Sequence, residues 1–326
     1  LGYILRDRQE LDGLGLSMAR FEPPVGNSRQ KIASDVARVA PDATIDYNNI
    51  YRPQRGKRAR AAAGQSPRAA FSLKDSASGS GLKIGMIDTA INKRHEALRR
   101  SRIKTRDFTA FRFAKPFHGT SVASIMVANG KSYRGLLPQA QLYAASVFFR
   151  APKGGETATT QSLVQAINWM ITERVSIINM SLAGPPNQVL KKAIDRANIK
   201  GSTIVAAVGN AGPNAKPLYP AAYPKVLGIT AVNAENRVYR LANRGSHVDF
   251  AAPGVAIRVA ESKGGFGLSS GTSFASPFAA VASVLATNGR SSTSEIVRQR
   301  LRKSALDLGE SGRDPIYGYG RITPTY

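Results

Sequence analysis

No cysteine occurs among the 326 residues, so disulfides, thiolate metal sites and cysteine nucleophiles are all excluded. Acidic residues are scarce. There are 21 Asp and Glu against 46 Lys and Arg, giving a formal charge of +25. Histidine is scarcer still, with three in the chain, so any chemistry that needs an imidazole has few candidates. Long apolar runs are also missing. The one extended uncharged stretch, 264–288, is interrupted by Pro277 and by glycines and serines, and it reads as a buried helix, not a membrane span. No transmembrane segment is expected. No internal repeat is found.

What is present is enough apolar sequence, 42%, for a folded core. The positive charge has two readings. It favours anionic polymers as weak partners, or it only aids solubility. The basic residues are scattered, with no basic helical stripe and no nucleic-acid module, which favours the second reading. No leader of the basic-then-apolar kind is visible at Leu1, and a removed or upstream leader is compatible with the rest.

Composition divides the chain in three. Residues 1–55 mix short apolar runs with both charges. Residues 56–80 are rich in Arg, Ala, Gly and Ser and read as an exposed basic linker. Residues 81–326 alternate short apolar runs with helical patterns. Leu82 to Ile87, Gln141 to Phe149, Val175 to Met180 and Thr203 to Val208 read as strands. Leu163, Val164, Ile167, Met170 and Ile171 recur at helical spacing, as do Val189, Leu190, Ala193, Ile194 and Ala197, with Gly201 placed to end that helix. The alternation predicts an α/β fold, a doubly wound, mostly parallel sheet with helices on both faces. Ligands in such sheets sit at the carboxyl ends of the strands. Asp88 and Asn210 both lie just past such ends.

Four residues carry candidate chemistry. Ser273, in S-G-T-S-F-A-S-P (270–277), precedes an apolar run. It is either a nucleophile with helix N–H groups beside it or a helix-capping serine. His118, in F-H-G-T-S-V-A-S, opens a predicted helix reaching Ala128 and is either a general base or structural. Asp88 ends the strand in I-G-M-I-D-T-A. It can orient a histidine or serve a turn. Asn210, in A-A-V-G-N-A-G-P, can donate to an oxyanion or shape a glycine-rich turn.

The order Asp88, His118, Asn210, Ser273, with these flanks, resembles the subtilisin-like serine proteases, the subtilase or peptidase S8 family. The resemblance runs from about Leu82 to Ile322. It includes I-I-N-M-S-L-A-G-P (177–185), Y-P-A-A-Y-P-K-V (219–226), D-F-A-A-P-G-V (249–255), Y-G-Y-G-R-I (317–322) and the H-E-A-L turn at His95.

The resemblance implies a serine endopeptidase acting on protein and peptide substrates. Ser273 would attack, His118 would move the proton, and Asp88 would orient His118. Asn210 and the Ser273 N–H would bind the oxyanion. Ser181, Leu182, Ala183 and Gly184 would pair with extended substrate and line the pocket for the residue before the cut. Ala207, Val208 and Gly209 would form another wall. Broad specificity is implied, and Ala183, where glycine is common, would narrow the pocket towards small or medium apolar side chains.

Residues 1–55 resemble the later part of an inhibitory propeptide, with strands expected at 14–21 and 42–51. Its tail would occupy the cleft, and residues 55–60 would be the processing region. An integral N-terminal subdomain is the other reading of this segment. A secreted or periplasmic monomer, made as a zymogen, is expected. Phe278 stands where the family usually has histidine. No metal or other cofactor is expected. Calcium is common in the family, but no Asp or Glu lies between Phe108 and Gly155, and the loop Asn129–Gly135 is basic where a calcium loop often sits. A catalytically silent relative that serves as a binding scaffold is the alternative function.

Overall fold

The computed structural model describes residues 2–53, 57–58, 64–74, 76–109, 116–151 and 154–324. The N-terminal part holds the strands β1 (Ile4–Leu11) and β2 (Leu16–Glu22), the helix α1 (Arg29–Val39), the short strands β3 (Ile50–Pro53) and β4 (Lys57–Arg58), and the single turn α2 (Pro67–Ala70). Then follow β5 (Lys83–Asp88), β6 (Arg102–Asp107), α3 (His118–Val127), β7 (Gln141–Ser146), β8 (Phe149–Arg150), β9 (Glu156–Thr159), α4 (Thr160–Thr172), β10 (Ile177–Met180), β11 (Leu182–Ala183) and α5 (Gln188–Ile199). The chain ends with β12 (Thr203–Ala207), β13 (Val226–Val232), β14 (Phe250–Pro253), β15 (Ile257–Ala260), β16 (Phe266–Ser270), α6 (Thr272–Thr287) and α7 (Ser294–Arg302).

Seven strands form one sheet in the order β14-β13-β12-β10-β5-β7-β6, and every pairing is parallel. Alternation along β5 serves two cores. Ile84 and Met86 join the cluster under α3 and α6, while Ile87 joins the cluster under α4 and α5. Helices thus cover both faces, as a parallel sheet requires. Strand order departs from β5 in both directions, which opens a crevice at the carboxyl ends near Asp88.

Local chemistry sets the helix ends. Thr159 and Ser162 form a reciprocal capping box at α4. The Asn187 side chain accepts from Leu190 N at 2.9 Å to start α5, and Gly201, at φ +78°, lies just past its end. The predicted stripe residues Leu163, Val164, Ile167 and Met170 are all buried.

Three expectations are corrected. The stretch 264–288 is not one helix, because residues 266–270 form β16 before α6 begins. Within 42–51 only Ile50 and Tyr51 are in a strand. The stretch 56–80 is not simply an exposed linker. Ala70, Phe71 and Leu73 belong to the main core, and Phe71 packs edge-on against Phe278 with centroids 5.5 Å apart. Phe278 thus gives Phe71 an aromatic partner inside the core. Residues 54–56, 59–63 and 75 lie outside the described residues.

His247 gives the fold a pH signature. Both of its ring nitrogens are buried with no hydrogen-bond partner among the described residues. Burial pushes its pKa below the ordinary value. Arg313 adds to that effect and Asp249, itself paired with Arg298, opposes it. As pH falls below about 6.5, the unfolded chain takes up this proton before the folded one, so stability is present at neutral pH and lost on acidification. Urea midpoints should therefore fall between pH 7 and pH 5, and fall less in His247→Gln. An equal fall in both proteins would show that His247 is not the cause.

Candidate active site

Strand β5 delivers Asp88 at its carboxyl end, fully buried. Both carboxylate oxygens lie 2.9 Å from His118 Nδ1, and Oδ1 also accepts from Thr89 N at 2.6 Å. A ring nitrogen facing a carboxylate is the donor. The neutral ring therefore carries its lone pair on Nε2. His118 is the first residue of α3, and the next residue must let that helix touch the β5 turn. Gly119 N donates to Thr89 Oγ1 at 2.8 Å, and a Cβ on Gly119 would stand 2.3 Å from the Thr89 carbonyl oxygen. Thr89 and Gly119 were not singled out from the sequence. Their positions beside Asp88 and His118 were the available signal.

Ser273 is the second residue of α6, so it is not the helix cap, which is Gly271. Its hydroxyl is buried, as is His118 Nε2, and neither atom has a hydrogen-bond partner among the described residues. Phe274, the next residue, packs 5.5 Å from the His118 ring and helps seat it beside α6.

Pro277, four residues on, has no N–H to donate to the Ser273 carbonyl. Ser181 Oγ donates to that carbonyl instead, at 3.1 Å, and also meets Ser276 Oγ and Asn179 Nδ2. The Ser181 side chain is thus turned inward to complete the helix.

Asn210 follows β12. Its Oδ1 accepts from Thr272 N at 3.0 Å and Thr272 Oγ1 at 3.1 Å, which turns the amide NH2 to the opposite side. Thr272 Oγ1 also accepts from Gly209 N at 3.2 Å. Thr272 thereby joins the β12 end to the serine turn, a role the sequence did not reveal. Ala207, Val208 and Gly209 are buried in this wall.

The cleft beside these residues already holds a strand of the same chain. β3 lies between β11 and β9, antiparallel to both, with Pro53 opposite Leu182, Arg52 opposite Ala183 and Tyr51 opposite Ala158. Tyr51 is fully buried, and its hydroxyl donates to Pro185 O at 3.2 Å. A Cβ on Gly184 would stand 2.4 Å from the Tyr51 ring. Gly184 therefore faces Tyr51. β4 pairs with β16, Lys57 opposite Ser270, three residues before Ser273.

His95 stands apart from this grouping. Its Nδ1 accepts from Ala97 N, so Nε2 donates to Gly265 O at 2.8 Å, a structural role. The loop after α3 presents Lys131 and Arg134, both exposed. A divalent cation does not fit a loop with that donor set. Among the described residues no group of three or more His, Asp or Glu could hold a metal, and no helix is long and apolar enough to cross a membrane.

A parallel, doubly wound sheet with an Asp-His pair and a helix-borne serine at its carboxyl edge defines a protein of the subtilisin fold. The family model described as the subtilase family matches residues 79–320. The chain belongs to the subtilase family. It is 35% identical over 249 residues to the minor extracellular protease Epr of Bacillus subtilis, a match covering 75% of this chain and 38% of Epr. To subtilisin E of the same organism it is 33% identical over 258 residues, covering 75% of this chain and 65% of that one. The chain thus spans less than two thirds of the length of either relative. Among solved structures, the S41 psychrophilic protease aligns with a TM-score of 0.70 and 27% identity, covering 80% of this chain and 98% of that one.

Proposed function

We propose that this protein is a serine endopeptidase with Ser273 as nucleophile. The observation that carries the reading is the buried pair Asp88–His118, which makes Nδ1 the donor and leaves Nε2 and Ser273 Oγ as two buried polar atoms with no hydrogen-bond partner among the described residues. Burying such atoms unpaired costs free energy, and active sites are where that cost is retained. His118 Nε2 takes the Ser273 proton as Oγ attacks the peptide carbonyl, then passes it to the leaving amine. Water repeats the sequence on the acyl-enzyme. The Asn210 amide and the Ser273 N–H stabilise the oxyanion. The methyl of Ala183 supports a preference for small or medium apolar side chains before the cut. The extracellular designation of Epr supports secretion.

Residues 1–53 then act as an inhibitory segment, a reading supported by the seating of β3 in the cleft. Extended pairing is how a protease holds substrate, and here the chain's own strand takes that place. Pro53 pairs with β11 and Lys57 with the end of β16, and a first self-cleavage between them belongs to this reading.

Labelling with a fluorophosphonate tests both layers. The protein should label at a serine. Tyr51→Ala should label about 10²-fold faster, because a buried aromatic anchor worth roughly 3 kcal/mol or more is gone. No labelling of either protein would sink the protease reading and favour a silent scaffold. Equal labelling rates would sink only the inhibitory role of β3.

A further inference from the structure

A second cavity lies at the other end of α3 from His118. It encloses about 530 Å³ and is lined by four cations, Arg68, Lys131, Arg134 and Arg258, together with the Ser66 and Ser132 side chains. The cations come from three separate places in the chain: α2, the loop after α3, and β15. No carboxylate among the described residues lines it.

Two kinds of cation are present. Arg68 is buried and is held by the main-chain carbonyls of Ala77, Gly135 and Leu136, so it is a fixed part of the floor. Lys131, Arg134 and Arg258 form no ion pair among the described residues. The Arg258 guanidinium is positioned by stacking, 4.5 Å over the Phe266 ring and 5.7 Å from that of Tyr133. Tyr133 OH also donates to Arg258 O at 2.7 Å, which fixes the backbone beneath it. The guanidinium fork is therefore pre-oriented with no carboxylate among the described residues to satisfy it.

Like charges gathered around one concavity repel, and the repulsion is relieved by a shared anion. Guanidinium forks and an ammonium group suit the several oxygens of a tetrahedral oxyanion. We propose that this cavity is a binding site for phosphate groups, taken either as the free ion or on a polymer. It is separate from the cleft, and the proposal does not depend on the protease reading.

The test uses the full chain carrying Ser273→Ala, with two probes: inorganic phosphate, followed by NMR of the Arg side chains, and a fluorescent oligothymidylate, followed by anisotropy over a salt series. Lys131→Ala/Arg134→Ala removes two exposed cations without touching the core. Lys192→Ala/Arg290→Ala removes the same charge from exposed positions outside the cavity. The expected result is phosphate-dependent shifts at Arg258, and oligonucleotide binding at low salt that weakens about tenfold or more in the cavity variant, with a shallower salt dependence. The control variant should lose much less. Shifts with phosphate but no oligonucleotide effect assign the site to the free ion, whereas the reverse assigns it to a polymer. Equal losses in both variants, or no response to either probe, would overturn the proposal.

Discussion

Replacing Ser273 by alanine is expected to lower the turnover of a denatured protein substrate on the order of 10⁶-fold and to leave the chain uncut between Pro53 and Lys57. The loss is large because no neighbouring group can substitute. Three hydroxyls close by in the chain or the fold are committed elsewhere: Ser181 Oγ to the Ser273 carbonyl and Ser276 Oγ, and Thr272 Oγ1 to Asn210 Oδ1. Removing Oγ alone should not unfold the protein, since that atom makes no hydrogen bond among the described residues. Its denaturation midpoint should match or exceed that of the parent. Hydrolysis persisting within tenfold of the parent would rule out Ser273 as the nucleophile.

Asp88→Asn should leave the structure in place and lower turnover roughly 10⁴-fold at neutral pH. An amide at this position can present NH2 to His118 Nδ1. The ring then accepts there and carries its proton on Nε2, where it cannot take one from Ser273. Thr89 N can still donate to the remaining oxygen, so the β5 turn is retained. The deficit should shrink at high pH, where hydroxide assists the attack. Measuring kcat/KM from pH 6 to 10 separates the two causes, because a merely disordered site would show no such recovery. A variant within about tenfold of the parent at pH 7 would remove Asp88 from its orienting role.

Much of this was legible in the sequence because the signals are local. Apolar runs alternating with helical stripes specify the parallel sheet, and Asp88, His118, Asn210 and Ser273 each sit where a strand ends or a helix begins. What was not legible depends on partners far along the chain. The Arg- and Ala-rich stretch around Phe71 has the composition of a linker, yet Phe71 finds its aromatic partner, Phe278, some two hundred residues away. The inward turn of Ser181 follows from a missing N–H at Pro277, 96 positions later. Sequence patterning does suggest that the N-terminal segment has strands. The position of Tyr51 against Gly184 requires a register that patterning alone does not supply.

On the proposed inhibitory role, the seating of β3 has a further consequence for what the cleft would accept after that strand leaves it. Its withdrawal leaves two facing strand edges, β9 and β11, roughly 10 Å apart, each with a row of peptide groups stripped of partners. Such a slot welcomes any fully stretched backbone of about four residues and refuses a helix or a tight loop, whatever the side chains. Substrate proteins would then be selected by how readily a short piece of them comes loose. Compactly folded proteins would resist, and turnover would rise steeply as they approach their own melting temperatures.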